Sequence, residues 1–132
     1  MKIKKITPNI IVNDVNANVA YYTKNFGFEV IATVPESGKL DFAMLTSGEC
    51  TLMFQDKHIE STPSFKEIGI GSTITLYIDV DDVETLYKNL KNNEVDLLTD
   101  IFTTFYNTKE FVVKDLNGYI LIFAQELVEN QK

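Results

Sequence analysis

Two tandem copies of a strand–helix–strands module, sharing one α+β domain, are what the sequence predicts, and three observations predict it. The stretch FVVKDLNGYILIFAQ, Phe111 to Gln125, has an echo in FAMLTSGECTLMFQ, Phe42 to Gln55: an apolar run, a Gly-centred turn, and a second apolar run ending in Gln. Upstream of each copy a β-rich run leads into an Asp-Val pair and a helical pattern. Thr7 precedes Asp14 by the same seven residues that separate Thr75 from Asp82. The third observation is size: 132 residues at 45% hydrophobic content suffice for one well-buried domain, while half that length makes a marginal core. The expected organisation is a first module over 1–57, a connection over 58–71, a second module over 72–127 and a polar tail over 128–132.

Taken in order, Thr7 to Val12 alternates as a half-exposed strand, apart from Ile11, which falls on the polar phase. Asp14 is a good N-cap, and Val15, Val19, Tyr22 and Phe26 then mark the stripe of an amphipathic helix that Gly27 stops. Phe28 to Val34 is a second strand, ended by Pro35 and the turn Glu36-Ser37-Gly38-Lys39, and the hairpin Leu40 to Gln55 completes the module. The connection is polar and carries Pro63, Gly69 and Gly71. Thr73 to Ile78 is the cleanest alternating strand, Asp81 with Glu84 resembles a capping box, and Val83, Leu86, Tyr87 and Leu90 form the second helical stripe. Val95 to Leu98 is a short strand, Thr99 to Asn107 a polar and aromatic loop, and Asn117-Gly118 the turn of the last hairpin.

Composition excludes several function classes. The formal charge is −7 and all 12 basic residues are Lys, so a phosphate-backbone partner is not expected, and the Arg fork that grips carboxylates or phosphates is missing. A neutral or cationic ligand suits this balance better than an anionic one. No apolar run reaches the roughly 20 residues of a membrane span, and Met1-Lys2-Ile3-Lys4-Lys5 leads into a strand, which predicts a cytoplasmic protein without a membrane partner. The single cysteine, Cys50, rules out an internal disulfide and lies on the core phase of its strand, so a buried structural thiol is expected.

Strand alternation divides the side chains into two faces. Ile10, Leu52, Phe54, Ile74, Leu76, Leu121 and Phe123 go to the core. Thr7, Asn9, Thr51, Met53, Gln55, Thr73, Thr75, Tyr77, Ile120 and Ile122 fall on the other side. Hydroxyls, amides and scattered apolar groups on one face suit a ligand groove, and they equally suit a solvent-facing or dimer-facing sheet.

The opening TPNIIVND…YYTKNFGFEV, the DVDDVETLY start of the second helix and the ending KEFVVKDLNGYILIFAQ together resemble the vicinal oxygen chelate superfamily, which includes glyoxalase I, extradiol dioxygenases and bleomycin-resistance proteins. The resemblance covers nearly the whole chain. It implies paired βαβββ modules whose curved mixed sheet surrounds a groove, usually in dimers, and in the metal-dependent members a divalent ion held by His or Glu at four strand positions. Carried onto this sequence, those positions fall on Thr7, Thr75, Ile122 and Met53, the last becoming Leu52 in a register shifted by one. Isoleucine cannot ligate, methionine prefers soft ions, and neutral threonine hydroxyls are weak donors. No metal and no cofactor is therefore expected.

The remaining chemistry-bearing residues point elsewhere. His58 is alone and reads as a solvated loop residue; Asp79, Asp81 and Asp82 lack the spacing of a calcium loop; Gly69-Ile70-Gly71-Ser72 lacks the Lys of a phosphate loop. Phe105-Tyr106-Asn107-Thr108-Lys109-Glu110 matches a family subgroup in which an aromatic-Tyr-Gly loop leads into Glu-Phe, with Asn107 where Gly is usual. Glu110 then either faces the ligand or holds the loop. The leading expectation is a metal-independent, dimeric small-molecule binding protein, similar to the bleomycin-resistance branch, acting by sequestration. Phe102, Phe105, Tyr106 and Tyr77 would stack on a planar ligand at about 0.5–1.5 kcal/mol per aromatic pair. Glu110, Gln55 and the threonines would orient it. A metal-dependent lyase, isomerase or dioxygenase and an interaction module with a closed groove stay open as alternatives.

Overall fold

In the computed structural model, which describes residues 1–2, 5–59, 70 and 74–128, the chain forms two units, Met1–Ile70 and Gly71–Lys132, each with its own mixed sheet. Unit one runs β1 (Asn9–Val12), α1 (Val15–Phe26), β2 (Glu29–Val34), β3 (Phe42–Ser47) and β4 (Cys50–Asp56), in the spatial order β1-β4-β3-β2. Parallel β1/β4 pairing sets Asn9 against Met53 and Ile10 against Phe54; the other pairs are antiparallel. Unit two repeats the plan with β5 (Thr75–Asp79), α2 (Val83–Asn92), β6 (Asp96–Leu97), β7 (Phe102–Thr103), β8 (Thr108–Lys114) and β9 (Ile120–Glu126), in the order β5-β9-β8-β6, with β7 also on β8. Both units are βαβββ modules. The third element is continuous in unit one and broken into β6 and β7 in unit two.

Local chemistry explains the boundaries. The Asp14 carboxylate accepts from the Ala17 N–H to cap α1, and Gly27 closes it in the left-handed region at φ 72°. α1 lays Val15, Asn18 and Tyr22 on its sheet, where the Tyr22 ring lies 4.9 Å from that of Phe54. Asn18, absent from the predicted stripe, is buried because its Nδ2 donates to the Asp14 carbonyl at 2.9 Å. α2 is capped by Asp82, which accepts from the Thr85 N–H and hydroxyl, so the expected Asp81–Glu84 box is corrected by one position. Val83 and Leu90 pack over Phe111, Val113, Leu121 and Phe123, with Phe111 and Phe123 stacked at 5.4 Å.

Other expectations shift for definable reasons. The first strand begins at Asn9 rather than Thr7, although the Pro8 carbonyl already accepts from the Met53 N–H. The short strand is Asp96–Leu97. The expected loop 99–107 contains β7, which pairs Phe102 with Glu110 and Thr103 with Lys109; between β6 and β7 the Thr99 hydroxyl replaces a backbone acceptor for the Val112 N–H. The last hairpin does not turn tightly on Asn117-Gly118. Buried Asp115 accepts from the Asn117 and Tyr119 N–H groups and stretches the connection to 115–119. Ile74 precedes β5 and is 65% exposed instead of buried, and Cys50, on the core phase but in the strand-opening position beyond the two-residue turn, is exposed. Thr73, Pro63, Gly69 and Gly71 lie outside the described residues. Among those described, no helix is long and apolar enough to cross a membrane.

Candidate functional site

Because Phe111 and Val113 point toward α2, the intervening positions of β8 point the other way, and that alternation builds the site on one face of the second sheet. Glu110 of β8 stands opposite Phe102 of β7 on one side and Ala124 of β9 on the other; Thr75 and Tyr77 of β5 stand opposite Ile120 and Ile122. Only a methyl group at Ala124 separates Tyr77 from Glu110. The Tyr77 hydroxyl crosses β9 and donates to the Glu110 carboxylate at 2.6 Å. Thr108, two residues before Glu110 on the same face, donates at 2.8 Å, and the Tyr106 phenol of the turn lies near enough to help lower the Glu110 pKa.

Glu110 is only 3% exposed. Burying a carboxylate is expensive unless donors replace water, and short hydroxyl-to-carboxylate bonds are among the strong ones. Burial pushes its pKa up, but the bonds from Tyr77, Thr108 and Tyr106 together outweigh that and hold it below the usual value. The converse appears on the partners: the bond to Glu110, assisted by burial, pushes the Tyr77 phenol up to about 12 and raises that of Tyr106. Both tyrosines are half-exposed, each at 50%. The arrangement is an anion sealed beneath two aromatic rings, with hydroxyls as its only donors among the described residues.

The turn carrying Tyr106 is fastened. The Thr104 N–H donates to the Thr108 carbonyl at 2.9 Å, the Thr108 N–H donates to the Thr104 hydroxyl at 3.1 Å and the two hydroxyls lie 2.7 Å apart, while Asn107 takes a positive φ of 70°. Phe105 caps the tip, 98% exposed with its ring edge-on to Tyr106, and so does not join the carboxylate cluster.

In unit one, Thr51, Met53 and Gln55 share one face of β4 with Asn9 of β1, and Thr7 lies just before that strand. Asn9 Nδ2 donates to Gln55 Oε1 at 2.8 Å. Register places Asn9 and Gln55 where unit two has Tyr77 and Ala124, so the amide pair and the phenol–carboxylate pair are the two modules' answers to the same sheet position. A second polar cluster lies at the end of β4. Asp56 is buried and accepts from Lys39 Nζ at 2.9 Å and the His58 N–H at 2.7 Å, with His58 Nδ1 at 3.1 Å. Burial raises its pKa, and the bonds from His58 and Lys39 bring it below the usual value. His58, expected as a solvated loop residue, keeps an exposed side chain and is anchored on one side by Asp56, beside an open depression of about 300 Å³ lined by Lys39, Asp41, Asp56, His58 and Ile59.

The positions onto which the resemblance carries the metal ligands are Thr7 and Met53 in unit one and Thr75 and Ile122 in unit two. None offers an imidazole or carboxylate, and among the described residues no three His, Cys, Asp or Glu side chains gather to hold a metal ion. These residues do not fit a divalent metal.

Of the residues singled out by sequence, Tyr77, Tyr106 and Glu110 come together directly, with Phe102 and Thr75 on the same face. Thr104 and Thr108 were missed. The Thr108–Glu110 spacing of two within a strand is the signal that could have found Thr108; the hydroxyl clamp from Thr104 depends on the turn and leaves no such trace.

The sequence profile described as the Glyoxalase/Bleomycin resistance protein/Dioxygenase superfamily matches residues 2–123. Among solved structures, TioX from Micromonospora sp. ML1 is similar at TM-score 0.79 and 20% identity, over 94% of this chain and 99% of that one. A glyoxalase/bleomycin resistance protein/dioxygenase family enzyme from Burkholderia phytofirmans PsJN is similar at TM-score 0.77 and 21% identity, over 92% and 97%. A superfamily member from Sphaerobacter thermophilus DSM 20745 reaches 0.78 at 15% identity, over 94% and 98%. At these identities the likeness is one of fold. No curated protein matches the sequence significantly.

Proposed function

The chain belongs to the Glyoxalase/Bleomycin resistance protein/Dioxygenase superfamily, and on that premise we propose that it is a metal-independent binding protein that sequesters a small aromatic or cationic molecule, working as a homodimer. The observation that carries the reading is the exchange of every metal-ligand position for Thr7, Met53, Thr75 or Ile122. A lyase, isomerase or dioxygenase of the superfamily's metal-dependent type needs ligands that these side chains cannot supply. Binding chemistry is well served by contrast. Tyr77, Tyr106 and Phe102 offer aromatic surface around a carboxylate, the net charge of −7 favours a cation, and Asn9, Thr51, Gln55 and Thr75 add polar groups on their sheet faces. Dimerisation draws support from β2, an edge strand that exposes Val30, Ile31 and Val34, since an open apolar edge is a surface that a second copy can cover.

The test pairs elemental analysis with titration. Protein purified without chelator is expected to carry no stoichiometric transition metal, and to show saturable binding to at least one member of a panel of cationic aromatic compounds that includes bleomycin-like glycopeptides. One tightly held metal per chain overturns metal independence. An absence of saturable binding across the panel overturns sequestration.

A further inference from the structure

The hydroxyl protons around Glu110 have little choice. An ionised carboxylate only accepts, so Tyr77 at 2.6 Å and Thr108 at 2.8 Å must each point their single O–H inward. With the Thr108 proton committed to Glu110, the 2.7 Å contact between Thr104 and Thr108 has Thr104 as its donor. The hydroxyls of Tyr77 and Thr108 are therefore turned toward one buried anion, and what half-exposed Tyr77 has left to offer is oxygen lone pairs. Donation to an anion also makes a hydroxyl a better acceptor. Lys109, the adjacent residue, points to the opposite side of β8 and pairs with Glu84 of α2, while Lys114, the lysine of β8 that shares the face of Glu110, stands four residues further along the strand opposite Ile120.

From this geometry we infer that Glu110 is a specificity-determining residue that makes the Tyr77–Tyr106 surface an acceptor-only wall, selecting ligands that present N–H donors, such as an amidinium, guanidinium or aromatic ammonium group, and rejecting isosteric acceptors. This deepens the proposed binding function and rests on it. Glu110 acts through the tyrosines rather than by touching the ligand, because its carboxylate is covered. A site built to pair with donors leaves its acceptors unpaired when the ligand brings none, and the resulting discrimination is larger than a change of shape gives.

Benzamidinium and benzoate test this, being the same size and shape with donors in one and acceptors in the other. Their affinities are measured by NMR titration on the full chain, in high salt to suppress long-range charge effects. The wild type is expected to prefer benzamidinium by about tenfold or more. The Tyr77→Phe/Tyr106→Phe double variant keeps the Glu110 charge and removes both oxygens, and its preference is expected to fall to within about threefold of parity. Glu110→Gln frees the tyrosine protons to turn outward and is expected to shift the ratio toward benzoate. Circular dichroism confirms folding of each variant, and either one suffices. Retention of the full preference in a folded variant, or equal affinity of the wild type for both probes, overturns the inference while leaving aromatic binding intact. Failure of the wild type to bind either probe, or any compound of the wider panel, sinks the binding reading and the inference with it.

Discussion

Glu110 shows how one side chain couples site chemistry to acid stability. Its folded pKa lies below the ordinary 4.5, so the unfolded chain binds the proton more tightly and protonation favours unfolding. Its contribution is complete above about pH 4.5 and is lost as the pH falls through the lower folded value. Asp56 acts in the same direction from its ordinary 3.8. Thermal melts from pH 7 downward are expected to show a falling limb below pH 4.5 that flattens in Glu110→Gln; an unchanged limb in that variant would mean the carboxylate is not stabilised in the fold. At this scale the sequence was half legible. Period-two alternation selected Tyr77 and Thr75 for one face and the resemblance of the 105–110 loop to a family subgroup pointed to Glu110, but Asp56 and His58 stand two apart at a strand's end, where no repeat reveals that an exposed histidine is also tied to a buried carboxylate. Cys50 was misread because phase assigns a face and says nothing of how far the covering helix extends.

Among the elements, the two helices were readable apart from the exact cap of α2 and the buried Asn18, because their determinants are local: an Asp cap, an apolar stripe and, for α1, a left-handed glycine. The second module's third element, the strand after α2, was only partly so. Its halves β6 and β7 hold two residues each, and the Thr99 hydroxyl that bridges them is a long-range contact invisible to any local pattern. The last hairpin teaches a related lesson, since Asn117-Gly118 marked a turn correctly while Asp115 decided its length. Asp115 is buried and serves the Asn117 and Tyr119 N–H groups, so Asp115→Ala is expected to destabilise the chain by about 1–3 kcal/mol, measured by urea unfolding. A change within a few tenths would show that water replaces the carboxylate at no cost.

For the molecule as a whole, duplication sets the plan and divergence at matching positions sets the use. Gln55 and Ala124 occupy equivalent places beside the parallel strands, and the loss of bulk at Ala124 is what lets Tyr77 reach Glu110. Net charge acts over the same scale. With −7 spread over 132 residues and the cation-binding surface half exposed, affinity for a cationic aromatic ligand is expected to weaken as ionic strength rises from 0.01 M toward 0.15 M, where the screening length drops from about 30 Å to about 8 Å. Calorimetric titrations at the two salt concentrations check this, and an unchanged affinity would assign recognition to stacking alone.

The fastening of Tyr106 bears on time as well as on geometry. A recognition loop that is loose when empty must open, trap and reopen, and its own motion then limits turnover of the bound molecule. Here β7 is laddered onto β8 and the turn is riveted by Thr104 and Thr108, so the surface is already in its working shape before a ligand arrives. Arrival is then governed by diffusion and departure by contact strength alone. On the proposed binding function, such a protein would act as a fast buffer, releasing its cargo as readily as concentrations fall, with a capacity in a cell set by how many copies are present.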